Sequence, residues 1–397
     1  MLEARPVVYT AGQMRTSAQI RVSLAQRVLA VFLPAFALSL MSSAQQASVQ
    51  HAKPSKAPQA AAPRSRPSLG VLTIYSIDVE GGQATLLVGP SKASLLVDTG
   101  WPGNNGRDAE RIQAAMKDAG IAQIDHVLIT HFHVDHVGGV PNLVQKVKVG
   151  EFLDHGEDRE LSSDTKRDYA AYLKAIEGTP RRIVKPGDTI DVPGLSALLI
   201  TADGKNIKSV PGVTSRPNPY CANEPAAEAD PTENARSAGV LVTFGTFRFL
   251  DLGDLTKQKE IELVCPESPL PKIDVYLVNH HGFNLSNTKA FVDSIHPRVA
   301  IMNNGAHKAG SPEAWQTVHD SPGLEDLYMV HTAEGSDAAH NSSEALIANP
   351  KGDGEGAWFK VVAHPDGSFS VFNSRTGATK DYPSKKAVSP AQEKAEK

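Results

Sequence analysis

Residues 130–139 read "THFHVDHVGG", three histidines and an aspartate within six positions, directly after the apolar run "VLI" at 127–129. A short apolar run that ends in such a segment predicts a buried strand followed by a functional turn. In extended backbone, residues two apart leave on the same side, so His131 and His133 can hold one cation between them. Asp135 and His136 follow at the turn into the next helix, within reach of a second ion. Gly138 and Gly139 let the backbone turn tightly there. Four polar groups at a buried strand end are costly to desolvate unless they share a partner. Imidazole with carboxylate suits zinc first, with iron or manganese as the alternatives.

Short β-rich runs precede this segment at 71–79, 84–88 and 93–98, separated by Gly, Pro and Ser turns. Helical patterns at 107–118 and 162–177 flank a further strand at 148–154. A helix is expected to begin near Gly139. The second half has the same character, with a hairpin at 238–254 turning at Gly245, a helix at 256–264, and strands at 274–279, 298–304, 327–331, 357–363 and 368–373. Clustered strands in both halves predict an α/β (α+β) fold, two sheets packed face to face with helices outside.

Hydrophobic residues make up 41% of the 397 positions and charged residues 21%, ordinary values for a chain with a sizeable core. The N-terminus is different. Arg15, Arg21 and Arg27 precede the apolar run "VLAVFLPAFALSLM" (28–41) and then "SSA", the pattern of a secretory signal over residues 1–44 cleaved after Ala44. The run is short for a transmembrane helix. Residues 45–69 carry four prolines, four basic residues and no acid, a composition that reads as a disordered linker. The folded domain is expected over 70–382, with a disordered tail at 383–397. Removal of the signal takes away four Arg and one Glu, moving the net charge from −4 to −7. A negative mature chain argues against a stable nucleic-acid complex. A periplasmic or secreted location would let Cys221 and Cys265 pair, closing a loop worth roughly 4 kcal/mol, or they stand as separate thiols.

"THFHVDHVGG", with "LLVDTG" (95–100) before it and "LGD" (252–254) and "NHHG" (279–282) after it, resembles the metallo-β-lactamase superfamily. "DVEGGQA" (78–84), "ENARSAGVLV" (233–242), "RFLDLGD" and "VYLVNHHG" are similar to the hydrolase domain of competence-type DNA-uptake channels and its free-standing relatives. The resemblance covers about residues 70–310. It implies a four-layer αββα sandwich with two divalent metal ions along one edge. His131 and His133 would serve the first ion, Asp135 and His136 the second, and Asp254 would bridge both. A histidine of "HHG" would complete the second site, His281 in preference to His280. Asp98 would orient the metal loop from behind.

Two departures from the family pattern stand out. The region that often supplies a third first-site histidine reads "ENARSAG", with Asn234 and Ser237, so His155 supplies that nitrogen, faces the substrate, or is a plain loop histidine. Gln83 stands where the competence-type branch has an acid. Two ions about 3.5–4 Å apart bring a shared water to a pKa near 7, so a hydrolase follows. Asp135, Asp254 and His155 are its expected catalytic groups. Asn234, Ser237, Asn304 and Lys308 are candidate contacts for a small-molecule or nucleotide-like substrate. A phosphodiester leads. Lactones, β-lactams and other acyl esters come second, and a non-catalytic binding module third.

Overall fold

The computed structural model describes residues 70–352, 354 and 356–385. The expected signal and linker, and the tail beyond residue 385, lie outside these. One sheet of nine strands runs Thr379–Tyr382, Phe369–Asn373, Phe359–Ala363, Leu72–Ser76, Thr85–Val88, Ser94–Val97, Gln123–Leu128, Lys148–Asp154 and Arg181–Ile183. The second runs Ile347–Asn349, Asp326–His331, Val299–Met302, Val275–Leu277, Phe247–Asp251, Gly239–Phe244, Ser196–Ala202 and Thr189–Ile190, with Lys205–Asn206 beside Ser196–Ala202.

Strand alternation builds the layers. Leu95 and Val97 join a core with Val240, Val242, Phe249 and Ile301 of the other sheet. Leu96, between them, points outward and packs with Ile112 and Met116 of the helix Arg107–Ala119. Leu241 and Leu250 likewise face outward, onto Leu263, Phe291 and Trp315 of the helices Lys257–Val264, Lys289–Ile295 and Pro312–His319. Inner strands such as Ser94–Val97 and Val275–Leu277 are buried on both faces because a helix layer covers the outer one. Each fully buried Leu or Val contributes about 1.5–3 kcal/mol by leaving water. Helix, sheet, sheet and helix give the four-layer αββα sandwich.

Parallel pairing aims the loops at one edge. Ser94–Val97, Gln123–Leu128 and Lys148–Asp154 run parallel in the first sheet, as do Phe247–Asp251, Val275–Leu277 and Val299–Met302 in the second. The segments after these strands carry Asp98, His131–His136, His155, Asp254, His280–His281 and Asn303–Asn304. Backbone bonds tie them together: Ala238 N donates to Thr130 O at 2.8 Å between the sheets, and His280 N to Gly253 O at 3.0 Å within the second.

The helix expected from Gly139 is instead two four-residue turns, Val134–Val137 and Val140–Leu143. Asp135 O accepts from Gln83 N (3.1 Å) and Gly139 N donates to Gly100 O (2.9 Å), so the groups that would join the turns are bonded to neighbouring loops. A Cβ on Gly139 would lie 2.0 Å from Thr99 O, which explains a glycine there. Cys221 and Cys265 form a disulfide, Cα–Cα 5.8 Å. Among the described residues no helix is long and apolar enough to cross a membrane.

Candidate metal centre

Asp135, His136, Asp254 and His281, all buried, each bring one ligand atom to within 4.8 Å of the others. They arrive from three separate loops. His136 Nε2 lies 3.1 Å from His281 Nε2, 3.4 Å from Asp135 Oδ2 and 3.3 Å from Asp254 Oδ2. His281 Nε2 is 3.2 Å from Asp135 Oδ2 and 3.4 Å from Asp254 Oδ1. Next to this set, His131 Nε2 and His133 Nδ1 face each other at 3.1 Å, and His131 Nε2 is 4.0 Å from Asp254 Oδ2. Asp254 thus touches both groups of histidines, as a bridging carboxylate must. Asp254 Oδ1 is buried without a hydrogen-bond partner. Two pairs of imidazole nitrogens aimed at one another, with carboxylate oxygens between, fit cations better than hydrogen bonds among themselves.

The surrounding residues fix which nitrogen of each ring is free. Asp98 is fully buried and accepts from Thr130 N (2.8 Å) and Thr130 Oγ1 (2.7 Å); its Oδ2 lies 2.7 Å from His136 Nδ1. The Nδ1 proton of His136 therefore belongs to Asp98, which leaves Nε2 as the nitrogen that would take a cation. His133 is held in the same way from the other side, with Nε2 3.0 Å from Glu160 Oε2. Ser237 Oγ accepts from Asp254 N at 3.2 Å and lies 3.5 Å from His131 Nδ1. Gly253, at φ +58°, lets the "LGD" turn pass against Thr130, whose Cβ would sit 2.9 Å from an added Cβ.

The metal-free charges are strongly coupled. Burial opposes charge on His136, but Asp254, Asp135 and Asp98 outweigh it and hold its imidazole well above the usual range. Burial likewise opposes the Asp135 and Asp254 carboxylates. His136 with Lys308 outweighs it at the first and His136 with His281 and His280 at the second, so both stay well below normal. Burial, then His136 and His133, pushes His131 well down. His280 is pushed down to about 4, chiefly by burial, and is neutral.

Of the "HHG" pair, His281 enters the four-residue cluster. His280 Nε2 stands 3.4 Å from Asp254 Oδ2 and 3.5 Å from Asn234 Nδ2, with its Nδ1 3.2 Å from Ser286 Oγ. Lys308 Nζ contacts Asp135 Oδ2. His155, expected as a ligand or catalytic group, is paired with a buried acid: its Nε2 lies 2.8 Å from Glu233 Oε2, a pairing with no mark in the sequence pattern. Asn304, expected at the substrate, is also engaged elsewhere, donating to His331 O at 2.9 Å and Gly305 O at 3.1 Å to hold a strand end. Gln83 donates to both Asp251 oxygens at 3.0 Å.

Glu160 and Glu260 were not anticipated. Glu260 is buried on the helix Lys257–Val264, accepts from Asn279 Nδ2, Asn287 N and Thr288 N at 2.7–2.8 Å, and so anchors the "NHHG" loop. A charged residue on the apolar face of that helix was the available signal. Glu160, in the acidic run "EDRE", offered none.

Residues 77–214 match the metallo-beta-lactamase superfamily. An atrochrysone carboxyl ACP thioesterase of Pseudocercospora fijiensis is 35% identical over 115 residues, 28% of this chain and 32% of that protein. ComE operon protein 3 of Bacillus subtilis is 26% identical over 186 residues, 47% of this chain and 20% of that protein. The chain thus spans a third or less of the length of these curated relatives. The metallo-beta-lactamase fold protein YhfI of Bacillus subtilis superposes with a TM-score of 0.39 at 10% identity, covering 66% of this chain and 96% of that one.

Proposed function

We infer, for a chain that carries a metallo-β-lactamase superfamily domain, that it is a metal-dependent hydrolase with two divalent ions, zinc first and iron or manganese as alternatives. The observation that carries this reading is the convergence of Asp135, His136, Asp254 and His281 from separate loops, with His131 and His133 beside them. His131, His133 and Asp254 would hold the first ion, and Asp135, His136, Asp254 and His281 the second. When bound, such a pair supplies an activated hydroxide and a Lewis acid for the scissile group. The chain's own groups then orient the reaction. Asp98 and Glu160 fix the ligand tautomers of His136 and His133. Neutral His280, beside Asn234 and Asp254, can donate a hydrogen bond to a substrate oxygen without adding charge.

Phosphodiesters are the leading substrate class, supported by the competence-type motifs and the match to ComE operon protein 3 over nearly half the chain. The similarity to a protein named as an ACP thioesterase supports acyl thioesters as the second reading. Export to the periplasm or medium is part of the proposal, drawn from the signal-like N-terminus, and the Cys221–Cys265 disulfide is in keeping with it. The test is turnover of bis(p-nitrophenyl) phosphate beside an acyl thioester, a lactone and a β-lactam by the metal-loaded chain. Phosphodiester turnover lost on metal removal supports the first reading. Turnover of the thioester alone transfers the assignment to the second, and no turnover with full metal overturns both.

A further inference from the structure

Lys308 belongs to the loop after the strand Val299–Met302, and that loop is pinned against the glycine turn at 80–82. Gly305 N donates to Lys308 O at 3.0 Å, and a Cβ on Gly81 would come within 2.8 Å of Gly305 N, so the two backbones are in close contact. From this platform Lys308 Nζ donates to Gly81 O at 2.7 Å and lies 4.9 Å from the centre of the Trp101 ring. Its third contact is Asp135 Oδ2. That oxygen is the one that faces His136 Nε2 and His281 Nε2, at 3.4 and 3.2 Å. The ammonium therefore holds the carboxylate atom a second-site cation would take. Gly81 O and the Trp101 ring hold that charge beside Asp135.

We propose that Lys308 is a built-in competitor for the second ion, sharing Asp135 Oδ2 so that this site fills more weakly than its four ligands would give. It keeps the ligand set assembled without metal and makes the second ion the exchangeable one. The inference rests on the two-ion reading above.

Lys308→Met keeps the aliphatic stem over Trp101 and removes the charge, whereas Lys308→Arg keeps a charge. Stepwise calorimetric titration with Zn2+ alone resolves two sites, the second assigned by its loss in His281→Ala. In Lys308→Met the second site should tighten about tenfold or more, since a unit positive charge in contact with its ligand has gone, with the first site changed far less. The metal-free variant should also melt below the wild type, while Lys308→Arg keeps the weak second site. Unchanged or weakened second-site affinity in Lys308→Met overturns the proposal and leaves Lys308 as a loop clamp. A wild type that takes up no zinc fails the two-ion reading itself, and this inference with it.

Discussion

Asp98→Asn changes one atom and should disable His136 as a ligand. Thr130 N cannot turn, so the single amide oxygen stays with it at the present 2.8 Å. The amide nitrogen then faces Thr130 Oγ1 and His136 Nδ1, each now 2.7 Å from the carboxylate. The hydroxyl can rotate to accept, but His136 can accept only by moving its proton to Nε2. That proton would point at His281 Nε2, 3.1 Å away, where the lone pair must bind the ion. Loss of such an outer carboxylate typically lowers metal affinity about 10- to 100-fold. Imperfect pairing at this buried position adds about 1–3 kcal/mol of lost stability. Two-site metal titration with thermal unfolding measures both. An Asp98→Asn variant that binds its second ion as tightly as the wild type would refute the tautomer argument.

The metal-free chain should have a stability window set by the site. Asp135 and Asp254, held below the ordinary 3.8, stabilise above that value and lose the effect as pH falls through their folded values. His136, held above 6.5, stabilises below that value and loses the effect as pH rises toward its folded value. His131 and His280, held below 6.5, cost stability as pH falls below that value. Melting temperature with chelator should therefore peak near pH 6.5 and decline on both sides, while bound metal removes the alkaline decline; parallel curves with and without metal would contradict this. Replacing Cys221 and Cys265 by Ser frees a loop with a sequence separation of 44 and should cost about 4 kcal/mol in denaturant unfolding, against no change if the bridge is absent in solution. Gly139→Ala should cost about 2 kcal/mol or more, because Thr99 O leaves no space for the methyl, and a wild-type melting point would refute the close approach.

Much of the fold was legible because strand ends announce themselves by polar residues after apolar runs. The spacing of His131, His133, Asp135 and His136 marked one edge of the sandwich, and "LGD" and "NHHG" marked the segments that meet it. Ser196–Ala202 was not legible although it is an inner strand of its sheet: "SALLITA" has apolar residues on both faces, so no alternation distinguishes it from a buried helix. The helix Lys289–Ile295 was hidden because only seven residues form it and all but the first are buried, leaving no amphipathic stripe. His155 illustrates a different limit. Its position after a strand suits a ligand, but Glu233, 78 residues away, claims its Nε2, and no local pattern reports such a pairing. Glu160 reaches His133 across 27 residues in the same silent way.

Metal content of the dialysed chain, wild type beside Asp254→Ala, decides whether the two-ion centre exists. Asp254 is the only carboxylate in contact with both His131 and the cluster of His136 and His281 among the described residues. Two equivalents of divalent metal are expected in the wild type and neither retained in the variant, with the fold intact by circular dichroism. A wild type without metal, or a variant that still holds two ions, would contradict the bridging role of Asp254 and the centre built on it.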